Sequence, residues 1–200
     1  MIKNLIFDFG DVLINLDKSA VPTGIERYGK SHQDPELIKL SENYEIGAIS
    51  TVEFIKKACE LLEEKDPNKV IALWNSTVAN FPIESLNFIE QLKSEGNFRL
   101  FLLSNTNELH IRYVEEIMGS GVYNRFRNCF EGFYYSHLIG LRKPNANIFE
   151  FVLNKHKLVP QETLFIDDTQ EHITGASSVG INTWHLKVGR ETVHSLFDYL

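Results

Sequence analysis

Three polar clusters end apolar runs in this chain. Asp8 follows Asn4-Leu5-Ile6-Phe7, Ser104-Asn105 follows Arg99-Leu100-Phe101-Leu102-Leu103, and Asp167-Asp168 follows Thr163-Leu164-Phe165-Ile166. Short continuous apolar runs read as strands buried on both faces. Ligands of a parallel α/β sheet sit beyond the carboxyl ends of its strands, so these carboxylates, hydroxyl and amide are placed for binding and chemistry. A single Asp after a single strand would be an ordinary turn or cap residue. Several clusters at equivalent strand ends argue for a shared site over independent turn roles.

The elements that must position them follow the same logic. Phe130 to Tyr135 is an aromatic-rich strand, and Ile181-Asn182-Thr183-Trp184 is another. Helical spacing appears over Ile83 to Ser94, Leu109 to Met118, Asn147 to Lys155 and Thr169 to Val179. Strands alternating with helices predict an α/β fold, a parallel sheet covered on both faces. The stretch from Lys18 to Phe81 breaks the alternation. Asp34-Pro35 and Asp66-Pro67 each start a helix. Ser50 with Glu53 forms a capping-box pattern ahead of the helix from Thr51 to Leu62. No strand is expected there. The predicted organisation is an α/β core of residues 1–17 and 82–200, with an all-helical insert over 18–81, after the first strand.

Composition narrows the function classes. With 200 residues the chain forms one domain, or a core with a smaller insert, and needs no disulfide or structural metal to fold. The 27 Asp+Glu exceed the 20 Lys+Arg, which argues against binding a nucleic-acid backbone. Cys59 and Cys129 form no CxxC pair, so a zinc site or redox pair is not indicated. No apolar run reaches the length of a membrane span, and the first residues do not resemble a signal peptide. A cytoplasmic protein with no membrane partner is expected.

Asp8-Phe9-Gly10-Asp11-Val12, Ser104-Asn105, Lys143-Pro144 and Asp167-Asp168 occur in the order of the four motifs of the haloacid dehalogenase-like hydrolases. The chain resembles that family over nearly its whole length, including the position of its helical cap. It is most similar to the branch with sugar-phosphate phosphatases and 2-haloacid dehalogenases. The resemblance implies a Rossmann-like core and assigns roles. Asp8 is the nucleophile on phosphorus. Mg²⁺ is held by Asp8, the Gly10 carbonyl and Asp168, all hard oxygen ligands. Asp167 orients a metal-bound water or Lys143 from outside the metal's own ligands. Ser104 and the Asn105 backbone N–H bind the phosphoryl oxygens, and Lys143 supplies positive charge during transfer.

The chain departs from the family at Gly10. Most phosphatases of this kind carry Asp there, which protonates the leaving oxygen and then activates water. Asp11 is one position out of register and reads as a turn residue or a cap at the start of a helix. Asp17, Glu45 and His172 are the candidates for a substitute acid. His172 reads primarily as a surface histidine of its helix. Tyr44 faces either a sugar or the core of the cap. Arg27 and Arg142 read as surface residues, though either would suit a second anionic group.

The expected function is a Mg²⁺-dependent phosphatase of a small phosphorylated metabolite, a sugar phosphate in the first instance, working through an aspartyl-phosphate. A 2-haloacid dehalogenase is the alternative that Gly10 permits and the Asp167-Asp168 pair opposes. A weakly catalytic or non-catalytic binding relative is the third reading.

Overall fold

The computed structural model describes residues 1–200. Numbered along the chain, β1 (Asn4–Phe7) lies at the centre of a five-stranded parallel sheet. β4 (Arg99–Ser104) and β6 (Thr163–Asp167) flank it, and β5 (Gly132–Tyr135) and β7 (Asn182–His185) form the edges. Phe7 is in register with Leu102 on one side and Ile166 on the other. Asp8 and Asp167 therefore stand side by side, each one residue beyond an aligned pair.

The central position explains the apolar runs. Leu5, Ile6 and Phe7 are wholly buried because helices cover both faces. Leu5, Phe7, Leu102 and Ile166 point to the face covered by α5 (Ile83–Glu95), α6 (Glu108–Met118) and α7 (Ser120–Asn128). Ile6, Phe101, Leu103 and Phe165 point the other way, onto α9 (Ala146–His156) and α10 (Gln170–Ser178). The period of two along each strand makes that division.

The helical insert contains α1 (Ala20–Arg27), α2 (Pro35–Glu45), α3 (Thr51–Leu62) and α4 (Pro67–Asn75). Its helix starts are those expected. The Asp34 and Asp66 carboxylates accept hydrogen bonds from Glu36 N–H and Asn68 N–H, and Ser50 and Glu53 close a reciprocal capping box. The insert has its own apolar centre, including Leu40, Tyr44, Phe54 and Val70, which Leu109 of α6 joins from the core.

Three local differences from the sequence reading appear. A strand, β3 (Val78–Asn80), lies inside the stretch where none was expected, and pairs antiparallel with β2 (Asn15–Leu16). Strands this short carry no readable alternation; they form because the two chain crossings between core and insert meet there. The helix α7 was not anticipated, because its apolar positions sit directly after Gly119, where the preceding helix ends. Cys129 and Phe130 complete that helix's last turn, so β5 starts at Gly132 rather than Phe130. A short helix, α8 (Ser136–Ile139), follows β5. No helix is long and apolar enough to cross a membrane.

Candidate active site

Lys143 ties the site together. Its side chain is completely buried, and its ammonium lies 2.8 Å from Asp8 Oδ1 and 2.6 Å from Asp167 Oδ2. Burial alone would lower its pKa, but the two carboxylates outweigh burial and hold it above the usual lysine value. Burial pushes the Asp8 carboxyl up to about 6, with Lys143 opposing the shift and Asp167 adding to it. Burial acts upward at Asp167 too, but Lys143 and His172 prevail and hold it at about 2. Asp167, which meets both Lys143 and His172, is thus the more fully paired of the two carboxylates.

Two features of the sequence place Lys143. The Asn105 side chain bonds its backbone on both sides, donating from Nδ2 to the Lys143 carbonyl and accepting the Lys143 N–H at Oδ1, each at 2.9 Å. Gly175 of α10 packs against the next residue; a Cβ there would sit 2.1 Å from the Pro144 carbonyl oxygen. The Asn105 side chain is therefore a positioning group, whereas the sequence reading had singled out its backbone N–H. Ser104 is buried at the end of β4, with its hydroxyl 3.5 Å from the Asn105 carbonyl.

The acidic residues also fit a hard cation. Carboxylate oxygens of Asp8, Asp167 and Asp168 all lie within 4.8 Å of one another. The Lys18 ammonium reaches this group as a stand-in cation, 2.5 Å from Asp168 Oδ2 and 3.0 Å from Asp11 Oδ2. Lys143 pairs with one oxygen of Asp8 and one of Asp167, and Lys18 with one of Asp168, so each carboxylate keeps a second hard oxygen of the kind a divalent ion takes. Asp11 adopts a left-handed conformation, with φ 53°, and its Oδ1 accepts the Leu16 N–H at 2.9 Å. It is a turn residue, as its register implies, and it starts no helix. Lys18 went unnoticed in the sequence, where nothing in its spacing connects it to Asp168, 150 residues away.

A family model of haloacid dehalogenase-like hydrolases matches residues 2–180. The chain belongs to the haloacid dehalogenase-like hydrolases. It is 26% identical to D-ribitol-5-phosphate phosphatase of Bacteroides thetaiotaomicron, over 96% of this chain and 95% of that protein. The crystal structure of a magnesium complex of a HAD family enzyme from the same organism superposes with a TM-score of 0.86, at 30% identity and 98% coverage of both chains. A HAD-like family hydrolase of Porphyromonas gingivalis gives 0.82 at 28% identity, covering all of this chain and 98% of that one. A dehalogenase at 16% identity and TM-score 0.56, covering 98% of this chain and 89% of that one, shares the fold.

In this hydrolase a polar cleft lies between the helical insert and the core. His172, Asn105, Glu45 and Arg142 all line it. His172 is not the surface residue its position on α10 suggested. Its side chain is 16% exposed, and Nδ1 lies 3.0 and 3.1 Å from the two oxygens of Asp167. Arg142 is not free either: it reaches Glu42 at 3.0 Å and Glu45 at 3.4 Å, joining core to insert. Burial raises the Glu45 carboxyl above the ordinary carboxylate value against the pull of Arg142. The end of α2 is docked on α8, where Ser136 Oγ donates to the Glu45 carbonyl at 2.6 Å. Gly47, at φ 68°, takes a conformation and an approach to the His137 carbonyl that a side chain would block.

Tyr44 does not face the cleft. It stacks on Phe54 at 4.2 Å, and its hydroxyl accepts the Leu109 N–H at 3.1 Å, anchoring insert to core. Asp17 is exposed and held below the usual carboxylate range by hydrogen bonds from Ser19. Arg27 is exposed at the end of α1.

Proposed function

We propose that this hydrolase is a magnesium-dependent phosphatase of small phosphorylated metabolites, sugar phosphates foremost. The observation that carries the reading is the buried Lys143 bridging Asp8 to Asp167 with Asp168 alongside. A cation-demanding acidic group of this kind suits attack on a dianionic phosphate. Halide displacement from carbon needs no metal, so the Asp167-Asp168 pair argues against it. The likeness to D-ribitol-5-phosphate phosphatase over nearly the full length of both chains supports the same substrate class. We further propose that residues 18–81 act as a cap over a catalytic core of 1–17 and 82–200. The two free thiols fit a reducing, cytoplasmic setting.

Asp8, the Gly10 carbonyl and Asp168 would hold Mg²⁺, in keeping with the magnesium complex of the related enzyme. The bound ion supplies charge neutralisation between carboxylate and phosphate. An Asp8 carboxylate oxygen bonds to phosphorus as the ester P–O bond breaks and the leaving oxygen takes a proton from solvent water. Ser104 Oγ and the Asn105 N–H bind the phosphoryl oxygens, and Lys143 offsets charge as it builds. Water then attacks phosphorus, the Asp8–phosphorus bond breaks, and inorganic phosphate leaves. Position 10 has no side chain to transfer either proton, so departure depends more on the leaving oxygen itself.

Turnover of a panel of phosphomonoesters and 2-haloacids, with Mg²⁺ and with chelator, tests the reading. Asp8→Asn is expected to abolish turnover and leave the fold intact by circular dichroism, since a neutral amide does not attack phosphorus. Haloacid turnover without metal would establish dehalogenase chemistry instead. Near-wild-type phosphatase activity in Asp8→Asn would remove Asp8 as nucleophile.

A further inference from the structure

Lys18 stands where the chain leaves the core for the insert, between β2 and α1. The backbone on both sides of it is anchored. The Leu16 N–H donates to Asp11 Oδ1 at 2.9 Å, the Asp17 N–H to the Thr77 carbonyl at 2.8 Å, and the Ser19 N–H to Asp17 Oδ1 at 3.0 Å. From this fixed start the side chain extends to the strand ends. Its ammonium sits 2.5 Å from Asp168 Oδ2 and 3.0 Å from Asp11 Oδ2. The two carboxylate side chains are only 7% and 9% exposed, whereas that of Lys18 is 55% exposed. A strongly hydrated ammonium at such a boundary gains little stability from its pairing. What it supplies is charge. Asp8, Asp167 and Asp168 bring three carboxylates together, and the buried Lys143 pairs with only the first two. Lys18 answers the third.

We propose that Lys18 is a tethered competitor for the metal: it neutralises Asp168 while the metal is absent, and Mg²⁺ binds only by displacing it. The inference rests on the magnesium reading of the site. Asp168 has a second oxygen, Oδ1, which the Thr169 hydroxyl reaches at 3.3 Å. That oxygen does not let both cations stay. A divalent ion and an ammonium on the two oxygens of one carboxylate are held a carboxylate's width apart, and their repulsion exceeds what a half-exposed ion pair contributes.

The tether gives the competition its character. An ammonium carried on the same chain acts at an effective concentration that dilution does not reduce. Its release is inexpensive, because the exposed side chain returns to water and Asp11 Oδ2 stays within reach. Loading the metal thereby frees the start of the crossing into the insert from the strand ends. The Mg²⁺ concentration that fills the site is set in part by a residue of that crossing.

The test follows Mg²⁺ binding and the state of Lys18 separately. Mg²⁺ is titrated calorimetrically, at matched ionic strength, into wild type, Lys18→Met and Lys187→Met. Met keeps the length of Lys18 without its charge. Lys187 carries an equal charge, with Nζ 2.6 Å from His185 Nδ1, but makes no ion pair with the acidic group. Lys18→Met is expected to bind Mg²⁺ about fivefold or more tighter than wild type, the value of one good exposed ion pair, and Lys187→Met to stay within about twofold. In wild type, acylation of Lys18 by a water-soluble active ester, read by peptide mass spectrometry, reports whether the ammonium is clasped, and it needs no variant. Relative to the exposed Lys56 and Lys57 of α3, it is expected to rise several-fold at saturating Mg²⁺. Acylation unmoved where calorimetry shows wild type saturated overturns the competition. So does a Lys18→Met affinity no tighter than that of Lys187→Met. Both results leave the magnesium reading in place. Binding by Lys18→Met alone supports the competition in its strongest form. Binding by neither wild type nor Lys18→Met removes the magnesium reading, and the inference with it.

Discussion

Lys143 and Glu45 are both ionisable side chains drawn out of water, one at the strand ends and one in the cleft beside them, and they are treated oppositely. Lys143 is enclosed by two carboxylates, and its backbone is held on both sides by Asn105. Glu45 has a long contact to Arg142 and one oxygen with nothing to bond. The difference separates two tasks. Charge stabilisation during phosphoryl transfer works best in groups already oriented before the substrate arrives. The contacts of Arg142 to Glu42 and Glu45 instead join the insert to the core.

Removing a charge from each region is the strongest test of that contrast. Lys143→Met leaves Asp8 and Asp167 buried together without their cation. A loss of about 3–5 kcal/mol in urea unfolding at pH 7 is expected, as for other broken buried pairs. That loss should shrink as pH falls toward 5, because the crowded carboxylates take up protons in the folded state before they do so in the unfolded chain. Glu45→Gln should remain within about 1 kcal/mol of wild type, since the pair it weakens is long and Arg142 keeps its shorter pair with Glu42. Equal losses in the two variants would erase the distinction.

Gly10 tests how far the prepared region is itself incomplete. General acid–base assistance contributes roughly 10²–10⁴-fold, and a phosphate with an acidic leaving oxygen needs little of it. Anomeric and aryl phosphates are expected to be cleaved much faster than primary alkyl phosphates of similar size, with Gly10→Asp narrowing the gap. A Cβ at position 10 would lie 2.6 Å from Leu16 Cδ1, the mobile end of a side chain, so the variant requires Leu16 to rotate. A leaving-group series at matched Mg²⁺ decides the matter. A flat series in wild type would show that another group delivers the proton.

A smaller effect concerns pH. With Asp8 at about 6, a proton competes with Mg²⁺ for its carboxylate below that pH. Mg²⁺ affinity by calorimetry should be about tenfold weaker at pH 5 than at pH 8 and level off above pH 7, a dependence that Asp8→Asn removes. An affinity independent of pH would mean that Lys143 keeps the Asp8 carboxylate ionised across the range or that Asp8 is not a ligand, and an Asp8→Asn affinity equal to wild type would establish the second.

Much of the prepared region can be read from the sequence, and little of the cleft. Asp8, Ser104 and the Asp167-Asp168 pair end apolar runs, and a parallel sheet brings such ends together whatever the remaining details. The insert's helices announce themselves through local caps at Asp34, Ser50 and Asp66. The pairing of Arg142 with Glu42 and Glu45 joins residues 100 and 97 apart, and Lys18 meets Asp168 across 150. No local pattern encodes such encounters; they follow from where the fold sets the insert down. His172 was misjudged for the same reason. Its place on the helix is legible, but whether that face meets solvent or Asp167 depends on the docking of α10.

The pairing of β2 with β3 has a consequence for how such a protein can change. Asn15 stands opposite Asn80, and Leu16 opposite Val78, so the chain leaves and rejoins the core at neighbouring points. Strands so paired are separated by about 4.8 Å. The four helices leave and rejoin the rest of the chain through this one pair of strands. Asp8, Lys143, Asp167 and Asp168 all lie outside that pair. A helical unit of different sequence whose ends lie equally close would meet the same pair of strands and leave the parallel sheet's strand ends where they are.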